Sequence, residues 1–240
     1  MINFGHQLQF LIHNNLKFPV LKREIIQTLD GSTTIHLADW DECYHSKHGA
    51  IQEAQHVFIK NGLSLFQNRN VSILEIGFGT GLNAFITLLE SKKMQQSIDY
   101  VGVEAYPISV DEVLLMNYVT ELNAMPESAI FDKMHESNWG EKINLRDDFS
   151  LTKRKQFFEE IDDVDRYDLI YFDAFGYRVQ PELWSTAIFE KMYKALKANG
   201  VLVTYAARGV VKRSMIEVGF TVEKLAGPPG KREMFRATKG

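Results

Sequence analysis

Residues 71–83, VSILEIGFGTGLN, constrain the fold of this chain more than any other stretch. The stretch begins as a short apolar run and continues through three alternating glycines, Gly77, Gly79 and Gly81, into a segment with helical apolar spacing. Strand, glycine turn and helix in that order form the first half of a nucleotide-binding βα unit. Glycine lets the backbone approach a ligand closely, and the helix start offers free N–H groups. The stretch therefore predicts an α/β fold with a ligand at the glycine loop.

Two acids beside this loop indicate which ligand it binds. The dinucleotide fingerprint places its third glycine three residues after the second, and Gly81 comes too early for that pattern. Glu75 stands two residues before the first glycine, where a carboxylate would repel a pyrophosphate and attract the ammonium of an amino-acid ligand. Glu104 ends the next apolar run, where it can hydrogen-bond both ribose hydroxyls. These features favour S-adenosyl-L-methionine as the cofactor, because it carries an α-amino group and no phosphate.

Composition limits the class of protein. Of the 240 residues, 45% are hydrophobic and 24% are charged, which is typical of a globular protein with a full core. The single cysteine, Cys43, excludes an internal disulfide and favours a reducing compartment, so we predict a cytoplasmic protein. No apolar run has the length of a membrane span, so no membrane partner is predicted. The net charge of −4 disfavours nonspecific nucleic-acid binding, although a local basic patch could still serve.

Alternating strands and helices predict the architecture. The predicted strands are residues 71–76, 98–104, 142–146, 167–172 and 201–205, followed by an antiparallel pair at 220–225 and 233–237. Residues 109–122 and 152–161 are predicted as helices, and residues 24–37 as a β-hairpin followed by a helix. This order resembles a class I methyltransferase, with a Rossmann-like sheet of seven strands, six parallel and the last antiparallel. We predict this domain at residues 66–240 and a packed N-terminal extension at residues 1–65.

Asp173 directly follows the buried strand at 167–172 and is the candidate for handling the acceptor. In an open parallel sheet the ligand lies beyond the carboxyl ends of the strands, so this side chain is predicted to face the glycine loop. An alkyl amine must lose a proton before it attacks a methyl group, and a carboxylate there can hold the amine and accept that proton. The aromatic faces of Phe175 and Tyr177 could stack on an extruded base, or both rings could simply pack under the loop.

Four potential metal ligands lie close together in the sequence: Cys43, His45, His48 and His56. Their spacing does not match a strong zinc pattern, and a second close pair of ligands is missing. We therefore predict no metal site and interpret these side chains as surface or hydrogen-bonding groups.

Several motifs spread along the chain resemble one family. They are TLDGS from Thr28, YHS from Tyr44, LEIGFGTGLNAF at the glycine loop, YFDAFGYRVQPELWS after the buried strand, and GFTVEKLAGPPGKREM near the end. In this combination the chain resembles the MnmC-like methyltransferases, which also occur alone as the MnmD type and act in the biosynthesis of 5-methylaminomethyl-2-thiouridine in tRNA. The resemblance runs from about residue 28 to residue 234 and leaves out the first 20 residues.

The resemblance implies methylation of the 5-aminomethyl group of the wobble uridine by S-adenosyl-L-methionine, with the anticodon region of tRNA as the partner. It assigns the methionine part of the cofactor to Glu75 and the three glycines, the ribose to Glu104, and the adenine to Asp148, with Asp147 as the alternative. Asp173 is implied to be catalytic, as the group that binds the acceptor amine. The other predicted binding residues are Asn83 for the cofactor, Phe175 and Tyr177 for the base, and Lys231, Arg232, Arg208, Lys212 and Arg213 for tRNA phosphates.

Other functions stay open at this point. In many bacteria the resembled domain is fused to a flavin oxidase. Because this chain has no second glycine fingerprint, we predict neither FAD binding nor that oxidation, and a separate enzyme would supply the aminomethyl group. Alternatives on the same fold are an aminopropyltransferase or a small-molecule amine N-methyltransferase. A further alternative is a binding module with a vestigial cofactor pocket. A failure to bind the cofactor would favour this alternative.

Overall fold

A small antiparallel sheet precedes the main body of the protein. The computed structural model describes residues 22–240, so the first part of the predicted extension lies outside the described residues. The small sheet contains β1 (Arg23–Gln27), β2 (Thr33–Leu37) and β3 (Glu42–Cys43). β1 and β2 pair in antiparallel fashion, which confirms the predicted hairpin. β3 pairs with β2 and was not predicted.

The main sheet has eight strands. They are β4 (Asn70–Ile76), β5 (Ser97–Glu104), β6 (Lys142–Arg146), β7 (Phe149–Lys155), β8 (Tyr167–Phe172), β9 (Leu196–Thr204), β10 (Phe220–Ala226) and β11 (Glu233–Lys239). Their order across the sheet is β10-β11-β9-β8-β4-β5-β7-β6. Neighbouring strands from β9 to β7 are parallel, whereas β11 is antiparallel to both β9 and β10. The predicted seven-stranded topology is present, with β6 as an additional antiparallel edge strand.

Helices cover both faces of this sheet. They are α1 (Ala50–Ala54, continued by a π-helix at Gln55–Lys60), α2 (Leu82–Lys93), α3 (Val110–Leu114), α4 (Tyr118–Glu121), α5 (Ser128–Glu136), α6 (Thr186–Ala195) and α7 (Gly209–Val218). Short 3-10 turns lie at Leu63–Phe66, Met125–Glu127, Phe158–Glu160 and Pro181–Trp184. Among residues 22–240, no helix combines the length and the apolar character needed to cross a membrane.

Two apolar cores form because strand side chains alternate between the faces of the sheet. On β4, Ile73 packs with the core that contains α1 and α2, whereas Leu74 packs with the core under α6 and α7. All six residues of β8 are buried, as expected for a central parallel strand covered on both faces. This strand ends at the predicted catalytic residue, so its carboxyl end is fixed from both sides.

The third parallel strand is β7, and the prediction for this region is wrong in two respects. Residues 142–146 form β6, which runs antiparallel to β7 rather than parallel to β5. Residues 152–161 are not a helix, because Phe149, Leu151 and Lys153 alternate into the interior as strand residues do. Asp147 and Asp148 form the turn between the two strands, so they lie where β7 begins.

The predicted helix over residues 109–122 is divided into α3 and α4. The division occurs at Asn117, whose side chain bonds to the small N-terminal sheet. Its Oδ1 accepts the N–H of Thr33 at 2.8 Å, and its Nδ2 donates to the carbonyl of Gly31 at 2.9 Å. These long-range bonds fix the small sheet beside the carboxyl edge of the main sheet.

Candidate active site

The glycine loop lies at the carboxyl edge of the main sheet, between β4 and α2. The N–H groups of Gly77 and Phe78 both donate to the carbonyl of Val103, at 3.0 and 2.9 Å, which fixes the loop to the end of β5. Gly77 has a φ of 88°, in the left-handed region that favours glycine. A Cβ at this position would lie 2.6 Å from the carbonyl oxygen of Asp173. The loop is therefore held closely between the ends of β5 and β8.

Glu75 is completely buried beneath this loop. Its Oε1 accepts a hydrogen bond from Asn83 Nδ2 at 2.9 Å, and its Oε2 accepts one from the hydroxyl of Tyr100 at 2.9 Å. Burial raises the pKa of this carboxyl well above its usual range, and the two hydrogen bonds oppose that rise only in part. Both carboxyl oxygens of Glu75 are thus bonded to protein donors, and Glu75 orients Asn83.

Asn83 links Glu75 to Asp173. Its Nδ2 also donates to Asp173 Oδ2 at 2.9 Å, so one amide group bridges the two carboxyls. The Oδ1 of Asn83 is buried without a hydrogen-bond partner among the described residues. An unpaired buried acceptor is costly, and the α-amino group of a cofactor such as S-adenosyl-L-methionine would satisfy it. The residues at this end of the loop therefore fit that cofactor.

Glu104 ends β5 on the other side of the loop. Its Oε2 accepts the N–H of Gly79 at 3.0 Å and its Oε1 accepts the N–H of Tyr106 at 2.9 Å. Burial raises the pKa of this carboxyl, and the backbone hydrogen bonds oppose the rise. The structure thus brings Glu75, Asn83, Glu104 and the glycine loop together at one edge, as the sequence pattern predicts.

Asp173 follows β8 and faces the same edge. Its N–H donates to the carbonyl of Ile76 at 2.9 Å, which aligns it with the end of β4. The side chain is half-buried. Burial raises its pKa to about 7, the negative charge of Glu53 adds to the rise, and Asn83 and Lys231 oppose it. Asp173 can therefore both hold a proton and release one near neutral pH.

Asp148 lies at the opposite edge of the sheet, and its prediction as an adenine contact fails for that reason. Its carbonyl accepts the N–H of Ile98, the second residue of β5, at 2.8 Å, and its carboxyl pairs with Arg146. The residues that follow the third parallel strand are Gln156 and Phe157. The Phe157 ring lies 6.0 Å from that of Tyr106 in an edge-to-face arrangement, next to the end of β5. The sequence pattern does not predict these residues, because it places the third strand at residues 142–146.

The two aromatic residues of the DAFGY segment differ in their surroundings. Phe175 packs edge-to-face against Trp40 and Tyr44 of the N-terminal region, with ring centroids 5.7 and 5.1 Å apart. Tyr177 lines an open cleft of about 420 Å³ and lies 5.6 Å beneath the guanidinium of Arg208. Phe175 therefore joins the segment to the N-terminal region, and Tyr177 has access to a large ligand.

The predicted cationic residues are distributed unevenly around this cleft. Arg208 and Arg232 line it together with Arg178, whereas Lys212 and Arg213 lie on α7 and are not among its lining residues. Lys231 also contributes to the lining, but its ammonium turns inward and pairs with Glu53 at 2.6 Å.

Glu53 belongs to the segment that carries the family resemblance, but the sequence pattern assigns it no role in the site. Its residue surface is only 5% exposed. Its neighbours on the buried face of this helical segment are apolar and include Ala50, Ala54 and Val57. A single acid on an otherwise apolar helical face was the available signal, because such a group requires a partner when buried. The partner is more than a hundred residues away in the sequence, so spacing alone could not identify it.

The histidines near Cys43 have hydrogen-bonding roles. His45 Nδ1 lies 3.0 Å from Thr34 Oγ1, and burial lowers the pKa of His45 to about 4, so the ring is neutral. His56 Nε2 lies 2.8 Å from the carbonyl of Ala226. Within residues 22–240, no group of three or more His, Cys, Asp or Glu side chains is arranged to hold a metal ion.

Comparisons with known proteins place the chain in a class. Residues 128–240 match a family model described as S-adenosyl-L-methionine-dependent methyltransferase. The chain is 27% identical over 236 residues to the tRNA 5-methylaminomethyl-2-thiouridine biosynthesis bifunctional protein MnmC of Hydrogenovibrio crunogenus, covering 92% of this chain and 35% of that protein. It is 30% identical over 217 residues to the protein of the same name from Burkholderia pseudomallei, covering 82% and 33%. The chain thus spans about a third of the length of these relatives.

The fold is similar to solved structures. MnmC2 from Aquifex aeolicus has a TM-score of 0.73 at 21% identity, covering 98% of this chain and 77% of that one. Spermidine synthase from Thermotoga maritima has a TM-score of 0.56 at 14% identity, covering 92% and 70%. The fold, the site and the family match define an S-adenosyl-L-methionine-dependent methyltransferase, which confirms the predicted fold class and cofactor. Within that class, the chain is similar in sequence to the MnmC proteins of Hydrogenovibrio crunogenus and Burkholderia pseudomallei, over about a third of their length.

Proposed function

We propose that this chain transfers the methyl group of S-adenosyl-L-methionine to the amine of a 5-aminomethyl group on the wobble uridine of tRNA. The observation that carries the proposal is the position of the Asp173 carboxyl at the end of β8, hydrogen-bonded to Asn83 and with its pKa raised to about 7 by burial. The names of the MnmC relatives, which refer to biosynthesis of 5-methylaminomethyl-2-thiouridine in tRNA, support the same substrate.

The cofactor side of the site would be held by the residues around the glycine loop. The free Oδ1 of Asn83 would accept a hydrogen bond from the α-amino group, and Glu104 would accept hydrogen bonds from the ribose hydroxyls. Gly77 and Gly79 keep the loop free of side-chain atoms where the ligand approaches. When bound, S-adenosyl-L-methionine supplies an electrophilic methyl group on a sulfonium.

Asp173 would prepare the acceptor amine for attack. An alkylammonium has a solution pKa of about 10 and has no lone pair to donate until it loses a proton. The Asp173 carboxylate, oriented by Asn83, would take that proton first, and the neutral amine nitrogen would then form its bond to the methyl carbon. The electron pair of the broken carbon–sulfur bond stays on sulfur, so charge and atoms balance. The rest of the task is alignment of nitrogen, carbon and sulfur.

The open cleft lined by Tyr177 and Tyr205 supports a nucleic-acid acceptor. It combines the aromatic face of Tyr177 with the cationic side chains of Arg208 and Arg232. Two acids, Glu42 and Glu233, also line it, and Glu42 pairs with the guanidinium of Arg178. An aromatic ring can stack on an exposed base, and arginine pairs with phosphate oxygens. A small amine would need neither feature, which is why we favour tRNA over a small-molecule acceptor.

The pH dependence of the reaction follows from the raised pKa of Asp173. Below about pH 7 the carboxyl of the free enzyme is protonated and cannot accept the amine proton. We therefore expect kcat/KM for methyl transfer to fall about tenfold for each pH unit below that value. A pH–rate profile of Asp173→Asn is the check: the limb near pH 7 should disappear. If it persists in the variant, the limb belongs to another group.

The substrate class is tested by offering two acceptors to the full chain with labelled cofactor. One is tRNA that carries 5-aminomethyluridine, and the other is a polyamine. Label in tRNA alone supports the proposal. Label in the polyamine alone supports the small-molecule alternative, for which the similarity to spermidine synthase concerns the fold only. Cofactor binding without transfer to either acceptor would favour a binding module.

A further inference from the structure

A partly buried ion pair joins two distant parts of the chain in the neighbourhood of Asp173. Glu53 lies on α1, and Lys231 lies in the loop between β10 and β11. Their side chains are 7% and 31% exposed, and the Lys231 Nζ to Glu53 Oε2 distance is 2.6 Å. Removing two charges from water costs energy that their mutual attraction offsets only in part, so a pair of this kind contributes little net stability. Its position suggests a role other than holding the fold together.

Tyr205 connects this pair to the DAFGY segment that begins at Asp173. The Lys231 ammonium lies 3.7 Å from the centroid of the Tyr205 ring, within the range of a cation–π interaction. The Tyr205 hydroxyl donates to the carbonyl of Ala174, the residue after Asp173, at 2.8 Å. Lys231 is thus held by a carboxylate and an aromatic face, and the same aromatic side chain fixes the backbone beside Asp173.

The charged groups around Asp173 come from several elements. Glu53 on α1, Lys231 in the β10–β11 loop and Glu75 on β4 interact electrostatically with its carboxyl, as do the phenols of Tyr100 on β5 and Tyr205 on β9. Glu53 raises the pKa of Asp173 and Lys231 lowers it. The two members of the ion pair therefore act on Asp173 in opposite directions.

We propose that Glu53 and Lys231 are positioning residues for methyl transfer, whose opposite charges, fixed by their ion pair and by Tyr205, set the proton affinity of Asp173. This inference rests on the proposed function, because it takes Asp173 as the acceptor of the amine proton. It goes beyond the resemblance, in which Lys231 was a candidate for a tRNA phosphate. In the structure its ammonium is committed to Glu53 instead.

The test measures the acidic limb of the kcat/KM profile for tRNA methylation in single variants of the full chain. Glu53→Gln removes the negative charge, so we expect the midpoint of the limb to move down by about one pH unit. Lys231→Met keeps the aliphatic stem on Tyr205 but removes the positive charge, so we expect the midpoint to move up by about as much. Both variants break the same ion pair, so a purely structural role would predict shifts in the same direction or none.

Two further variants serve as controls. Lys231→Arg keeps the charge and should keep the wild-type midpoint. Lys197→Met breaks the ion pair between Lys197 and Asp168, which lies at the start of β8 and away from the site, and should also leave the midpoint unchanged. Any loss of tRNA affinity in Lys231→Met would raise KM at every pH and would not move the midpoint.

A second measurement does not depend on turnover. The ¹³Cγ chemical shift of Asp173 is followed as a function of pH in each free enzyme. The midpoint of its titration should be lowest in Glu53→Gln, intermediate in the wild type and highest in Lys231→Met. Opposite shifts in the two variants support the inference, and shifts in the same direction or no shifts overturn it. If the wild-type chain does not methylate tRNA, the proposed function is wrong, and the chemical-shift titration still decides the role of the pair.

Discussion

Replacing Asp173 by asparagine is expected to lower the rate of methyl transfer by about 10² to 10⁴-fold, the usual contribution of a general base. The variant keeps the shape of the side chain and an oxygen that can accept the hydrogen bond from Asn83, so the loop should keep its structure. The affinity for S-adenosyl-L-methionine should therefore stay within a few-fold of wild type. Single-turnover rates and calorimetric titration with the cofactor measure the two quantities separately.

Asp148→Asn is the matched control for this experiment. It makes the same chemical change at the turn between β6 and β7, at the opposite edge of the sheet. Its rate and its cofactor affinity should both be near wild type. If Asp173→Asn turns over normally, Asp173 does not handle the amine proton. If Asp148→Asn loses cofactor affinity, Asp148 contributes to the cofactor site despite its place at the opposite edge.

Replacing Gly77 by alanine should weaken cofactor binding about 100-fold, which is close to 3 kcal/mol. The φ of 88° at Gly77 strains any residue with a Cβ, and that Cβ would lie 2.6 Å from the backbone oxygen of Asp173. Because the obstacle is backbone, the loop or the end of β8 must move, and both border the cofactor site. Calorimetric titration of the variant with S-adenosyl-L-methionine measures the loss.

Gly140→Ala separates the steric effect from the backbone strain. Gly140 has a φ of 87°, almost the same as Gly77, but a Cβ there would meet no atom within 4 Å. The control should lose only about 1 kcal/mol of stability from the left-handed conformation and should bind the cofactor normally. Equal behaviour of the two variants would show that the close contact with Asp173 is unimportant.

The glycine loop and Asp173 could be located from the sequence because each is defined by a local pattern. A short apolar strand followed by alternating glycines has one common structural interpretation, and the buried strand at Tyr167–Phe172 places Asp173 at its carboxyl end. The class I topology followed from the order of these elements. These parts of the site depend on neighbours in the sequence and not on long-range contacts.

The third strand was misassigned because its alternation contains a buried lysine. Lys153 is 2% exposed, and its ammonium donates to the carbonyl of His135 at 2.8 Å and lies 5.1 Å from the Trp139 ring centroid. Burial lowers its pKa to about 8. A lysine is ordinarily counted as exposed, so the segment after Leu151 read as a charged helix surface rather than as an inward-facing strand.

The surroundings of Asp173 were beyond reach of the sequence for a different reason. Glu53, Lys231 and Tyr205 come from three elements that meet only in the folded protein. The division of the predicted helix at Asn117 has the same origin, since that side chain bonds to the N-terminal sheet. Contacts between distant segments leave no periodicity in a single sequence.

The central claim is tested most directly by methyl transfer to bulk tRNA from cells that lack this activity. The full chain is incubated with labelled S-adenosyl-L-methionine and the tRNA, and the tRNA is then digested to nucleosides. The account predicts label in 5-methylaminomethyluridine species, and its loss when Asp173→Asn replaces the wild-type chain. Intact cofactor binding with no label in tRNA, or label in any other nucleoside, would contradict it.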